Sequence, residues 1–154
     1  MARPKLLCVD DDSAARTLYR YLLECYGYDV VVAEDGIQAL NELNHSAVDA
    51  VLLDYEMPGM NGGQVAAIIK HRTPEIPIIM VSGCSSVVED APRFVDAAVT
   101  KGAPVEKLLS LLEGVLKRNA QTVTAPVAAS SYAPLGSALA SVALVAYFLP
   151  LLWH

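Results

Sequence analysis

Five short apolar runs alternate with polar, helix-like stretches over most of the chain, and four of them stop on residues able to do chemistry. Residues 5–9 (KLLCV) end on Asp10-Asp11-Asp12, residues 48–53 on Asp54, residues 76–81 (IPIIMV) on Ser82-Gly83, and residues 94–99 on Thr100-Lys101. The fifth run, residues 29–33 (DVVVA), is β-branched. Continuous apolar runs of this length bounded by turn residues predict buried strands. Between them the period lengthens. Ser13 is placed to cap a helix over residues 14–26, with Leu18, Leu22 and Cys25 on one face, Arg16 and Arg20 on another, and Gly27 as its stop. Residues 36–44 predict a short helix through Ile37, Leu40 and Leu43, and residues 63–72 a third carrying Val65, Ile68 and Ile69. Residues 85–94 are weakly helical because Pro92 interrupts them. Residues 105–116 form an amphipathic helix with Leu108, Leu109, Leu112 and Leu116 on its stripe.

Strands that are apolar throughout and alternate with helices predict an α/β fold, a doubly wound five-stranded parallel sheet covered on both faces. Right-handed crossovers then bring all the strand C-termini to one edge, where open α/β sheets place their ligand sites. Asp10, Asp11, Asp54, Ser82 and Lys101 would meet there. Three carboxylates in one small cleft repel, and a hard divalent cation held by few carboxylates and several waters, in the manner of Mg2+, relieves that repulsion. Beside such a cation Asp54 would serve as a nucleophile toward a phosphoryl group, with the Lys101 ammonium and the Ser82 hydroxyl on the transferring oxygens.

These residues resemble the receiver domain of two-component response regulators, a flavodoxin-like fold. The matching pieces are the acidic pair in Val9-Asp10-Asp11, the loop from Leu53-Asp54-Tyr55-Glu56-Met57-Pro58-Gly59-Met60 to Asn61-Gly62, the Ser82-Gly83 pair, and Lys101. The resemblance covers residues 4–118. It implies Asp54 as phospho-acceptor, and Asp10, Asp11, Asp54 and the Glu56 backbone carbonyl as Mg2+ ligands. It also implies Ser82 as the switch hydroxyl, Lys101 as the phosphate-contacting cation, and a sensor histidine kinase or phosphotransfer protein as partner. Three positions depart from the family pattern. Gly102 replaces the proline that usually follows the lysine, predicting a looser loop. Ala97-Ala98-Val99 stands where an aromatic switch residue is usual, and the segment carrying Pro92 is short.

Composition narrows the function classes. The net charge of −6 and pI near 4.9, with no cluster of Lys and Arg, argue against nucleic acid as a partner. Three widely spaced cysteines (Cys8, Cys25, Cys84) offer neither a disulfide framework nor metal-ligand spacing, which suits a reducing cytoplasm. The start, Met1-Ala2-Arg3-Pro4-Lys5, runs straight into a strand and predicts no secretory leader. No residue after Arg118 is Asp, Glu, Lys or Arg. Residues 119–134 have linker composition, and fifteen of the nineteen residues over 135–153 are apolar. The latter stretch is long enough for a membrane-spanning helix, with Lys117-Arg118 on the cytoplasmic side. Its small residues Gly136, Ser137, Ala140 and Ser141 would permit helix pairing and hence a homodimer.

The expectation is thus a membrane-tethered phospho-acceptor switch acting through protein contacts, not an enzyme. Two competitors stand beside it. One is a receiver-like membrane scaffold that no longer takes phosphate. The other is a haloacid-dehalogenase-type phosphohydrolase, whose nucleophile motif Asp10-x-Asp12 resembles.

Overall fold

In the computed structural model the described residues are 2–89 and 93–124. The element order is β1 (Lys5–Val9), α1 (Ser13–Cys25), β2 (Asp29–Ala33), α2 (Gly36–His45), β3 (Ala50–Asp54), α3 (Gly62–Arg72), β4 (Ile78–Ser82), α4 (Ser85–Glu89), β5 (Ala97–Thr100) and α5 (Val105–Thr124). The strands form one parallel sheet in the order β2-β1-β3-β4-β5. The alternating βα pattern therefore yields the doubly wound sheet expected of it.

Because side chains alternate across each strand, the sheet feeds two separate cores. Leu7, Val9, Val51, Leu53, Ile78 and Met80 face α2 and α3 and meet Val65 and Ile69. Leu6, Cys8, Leu52, Ile79, Val81 and Val99 face α1 and α5 and meet Leu23, Leu108 and Leu112. Cys8 is an ordinary member of the second core, and burial pushes its thiol up to about 12.

Several boundaries fall elsewhere than the apolar pattern places them. The cap of α1 is Asp12, whose carboxylate accepts the Ala14 N–H, so Ser13 lies inside the helix. β3 and β4 each begin two residues late. Pro77 has no N–H to give the ladder, and Ile76 bonds back to the Thr73 carbonyl, which closes a turn before the strand starts. β5 begins only at Ala97, where pairing with Ile79 begins. α3 opens on a reciprocal capping box between Asn61 and Gln64. α5 continues through Thr124, so residues 119–124, assigned to the linker, are helical. No proline interrupts them, and Ala120 and Gln121 are good helix formers. Residues 125–134 and the apolar segment 135–153 lie outside the described residues. Among the described residues no helix is long and apolar enough to cross a membrane.

Candidate functional site: an acidic cleft at the C-terminal sheet edge

Parallel register brings the chemical residues to one edge. Val9 pairs with Leu53, Asp54 with Val81, and Ser82 with Thr100. Asp10, one step beyond β1, thus lies beside Asp54 at the tip of β3, next to Ser82 at the tip of β4 and Lys101 just past β5. Asp10 and Asp54 are almost wholly buried, at 2% and 1% exposure, whereas Asp11 is exposed.

The Lys101 ammonium sits 2.9 Å from Asp54 Oδ2 and 3.3 Å from Asp10 Oδ2. Those two oxygens accept no well-directed hydrogen bond, so the ion pair with Lys101 is all that answers them. One oxygen from each of Asp10, Asp11 and Asp54 lies within 4.8 Å of the other two. An all-oxygen, carboxylate-rich donor set with two buried, unsatisfied atoms fits a hard divalent cation such as Mg2+. Burial, with the Asp10 charge adding to it and Lys101 opposing, pushes Asp54 up to about 6. Lys101 moves the other way from what its own partial burial would produce. The Asp54 and Asp10 carboxylates outweigh desolvation and raise it.

Glu56 does more than the sequence suggested. Its side chain, not only its backbone, enters the site. Oε1 accepts the Ser82 hydroxyl at 2.6 Å and Oε2 the Gly83 N–H at 3.2 Å. These bonds hold the carboxyl below its ordinary range although desolvation opposes them. The Glu56 N–H approaches Asp54 Oδ1 at 3.4 Å. Ser82 is therefore at the site, but its hydroxyl is given to Glu56 rather than to Asp54. Tyr19, half-buried on α1, lines the narrow crevice beneath Asp10 and Asp54. No periodic signal marks either contact, since both depend on chain segments far apart in sequence.

The departures at β5 also take definite form. Ala98 pairs with Met80 and packs among aliphatic side chains. Gly102 has φ of +82°, a conformation that favours glycine. On either side of Gly102 the backbone is bonded, Lys101 N–H to the Ser82 carbonyl at 2.8 Å and Ala103 N–H to the Thr100 carbonyl at 3.1 Å. Cys84 is exposed, and hydrogen bonds with Ser86 and Val87 lower its thiol.

The arrangement disfavours the phosphohydrolase alternative. Asp12 is spent on capping α1, and the acids gathered with Asp10 are Asp11 and Asp54. Glu106 and Glu113, the only acids after Lys101, lie exposed on α5.

Comparison with known proteins agrees with this geometry. The family model for the response regulator receiver domain matches residues 6–113. Among curated proteins, response regulator MprA of Mycobacterium sp. (strain KMS) is 32% identical over 117 residues, covering 74% of this chain and 51% of the relative. The MprA of Mycobacterium leprae is 31% identical over 134 residues, covering 85% and 59%. The chain thus spans little more than half the length of these relatives. Among solved structures, Thermotoga maritima TrrA in complex with Mg2+ and BeF superposes with a TM-score of 0.69 at 30% identity, covering 73% of this chain and 98% of that one. A CheY-like receiver domain protein of Methanospirillum hungatei gives 0.71 at 25%, covering 78% and 98%.

Proposed function

Since this chain belongs to the response regulator receiver family, we propose that it is a phospho-acceptor switch in a two-component phosphorelay, taking a phosphoryl group on Asp54. The observation that carries this reading is the buried Asp54 carboxylate at the tip of β3, held 2.9 Å from Lys101 and grouped with the oxygens of Asp10 and Asp11. The donor is a phosphohistidine on a sensor kinase or phosphotransfer protein, or a small acyl phosphate. An Asp54 carboxylate oxygen forms the new bond to phosphorus, and the bond to the departing nitrogen or oxygen breaks, leaving with its electron pair.

Asp10, Asp11, Asp54 and the Glu56 backbone carbonyl would hold Mg2+, which would supply charge neutralisation for the transferring oxygens. Lys101 is already placed against Asp54 and adds a second positive charge on the same side. The Ser82 hydroxyl must leave Glu56 to reach a phosphoryl oxygen, so the β4–α4 loop changes partners on phosphorylation. With Ala98 in place of an aromatic ring, that exchange at Glu56 is the rearrangement left to report the modified state.

Incubating the full chain with acetyl phosphate and Mg2+, read by intact mass and peptide mapping, gives a labile phosphoryl adduct on Asp54. The adduct is absent in Asp54→Asn and without Mg2+. No adduct under conditions that label an ordinary receiver would instead favour a scaffold that keeps the site without its chemistry.

The sequence of residues 135–153 carries the second element of the reading, a tether to the inner face of the cell membrane. On cell fractionation the full chain sediments with membranes and resists alkaline carbonate, whereas a chain ending at residue 134 is released. Recovery of the full chain in the supernatant would overturn the tether.

A further inference from the structure

Arg16 stands in the first turn of α1, a turn that itself holds no acidic residue and where a cation opposes the helix dipole. A residue that breaks a local rule at the edge of a site is explained by the site rather than by the helix. Its guanidinium is turned back out of the helix onto the preceding loop. Nη1 donates to the Asp10 carbonyl at 2.7 Å and to the Asp11 carbonyl at 2.9 Å. The side chain is only 17% exposed, while its approach to Glu34, 3.8 Å away and mostly in water, contributes little.

These two bonds act on one residue. The Asp10 carbonyl belongs to the peptide plane before Asp11 and the Asp11 carbonyl to the plane after it. Holding both fixes the two backbone dihedrals that aim the Asp11 side chain. Asp10 has further restraints, since its N–H bonds to the Ala33 carbonyl and its Oδ1 accepts the Asp12 N–H. Asp11, exposed at the lip of the cleft, depends on Arg16. We infer that Arg16 is a positioning residue for the cation site, clamping the β1–α1 loop so that Asp11 is aimed at Asp10 and Asp54 before a cation arrives. The inference rests on the Mg2+ reading given above.

The two roles open to Arg16 have opposite signs. As a mere positive charge near the cleft it repels Mg2+, so its removal would tighten cation binding. As a clamp it prepares the site, so its removal weakens binding, by about tenfold if it behaves as outer-shell partners of metal ligands do. Calorimetric Mg2+ titration of the unphosphorylated full chain separates them. Arg16→Ala raises the dissociation constant about tenfold, and Arg16→Lys, which keeps the charge but loses the planar fork, falls between it and wild type. Arg20→Ala, removing an exposed cation from the same helix, stays near wild type.

In acetyl phosphate labelling, the Mg2+ needed for half-maximal rate rises in Arg16→Ala, while the rate at saturating Mg2+ recovers. Should Arg16→Ala not fold, as thermal unfolding without Mg2+ would show, Arg16→Lys carries the test. Variants that bind Mg2+ as tightly as wild type, or more tightly, overturn the clamp and leave the cation site standing. A wild-type chain that binds no Mg2+ overturns both.

Discussion

Gly62→Ala destabilises the protein by about 2 kcal/mol and slows phosphorylation of Asp54, although alanine is the better helix former. Gly62 is buried at the first position of α3, where the acceptor loop doubles back on the end of β3. A Cβ there would run into the Asp54 carbonyl oxygen, and would lie 2.9 Å from Tyr55 Cα and 3.0 Å from the Asp54 carbonyl carbon. All three are backbone atoms, so no rotamer change relieves the clash. The Gly62 N–H also bonds to the Tyr55 carbonyl at 3.0 Å, tying the two segments at the same point. Relief must come by parting the start of α3 from the tip of β3, which carries Asp54. Gly114→Ala supplies the contrast: a Cβ at Gly114 in α5 meets nothing within 4 Å, and the substitution stabilises by about 0.5 kcal/mol or more. Urea unfolding and acetyl phosphate labelling of both variants check this. A Gly62→Ala chain as stable and as reactive as wild type would refute the close approach.

Asp54→Asn stabilises the cation-free protein by about 2 kcal/mol at pH 7, and the gain disappears toward pH 4. In the folded chain the carboxyl is raised from 3.8 to about 6. Between those values the unfolded chain has already given up its proton while the folded chain retains it, so stability falls as pH rises through the window. Below it both states are protonated and there is no penalty. Above pH 6 both are ionised and the penalty is complete. Asparagine has no charge to bury, so the variant lacks the effect, and taking the difference between the two proteins cancels the titration of acids that do not interact with Asp54. Mg2+ narrows the gap from the other side, because it binds folded wild type and stabilises it by mass action. Thermal or urea unfolding in chelator from pH 4.5 to 7.5 would read this directly. A gap that is flat with pH, or that widens at low pH, would show that Asp54 is not held in an unfavourable ionised state.

Both effects arise from one design. The site gathers negative charge at a buried sheet edge and leaves it under-compensated, with Lys101 serving two carboxylates at once. Stability is given up there to hold together carboxylates that suit a divalent cation. Glu56 belongs to the same arrangement, keeping the buried Ser82 hydroxyl satisfied.

Much of this was determined by the sequence alone. Apolar runs closed by acids or turn residues located β1 and β2 to the residue, because Pro4 and Asp10 bound one and Gly27 and Glu34 bracket the other. Alternation of those runs with helical periods specified the parallel sheet. The convergence of Asp10, Asp11, Asp54, Ser82 and Lys101 then followed, because parallel strands with right-handed crossovers end on one side. Only the tertiary structure decided the rest. Strand limits at Ala50 and Ala97 are set by where a neighbour begins to pair, which hydrophobicity does not encode. The reach of α5 to Thr124 left no amphipathic signature, since the stripe fades before the helix does. Above all, the side chains of Glu56 and Arg16 found their roles through contacts that depend on rotamer and loop geometry. A carboxylate two residues past a strand and an arginine one turn into a helix look like solvated surface until the chain is folded around them.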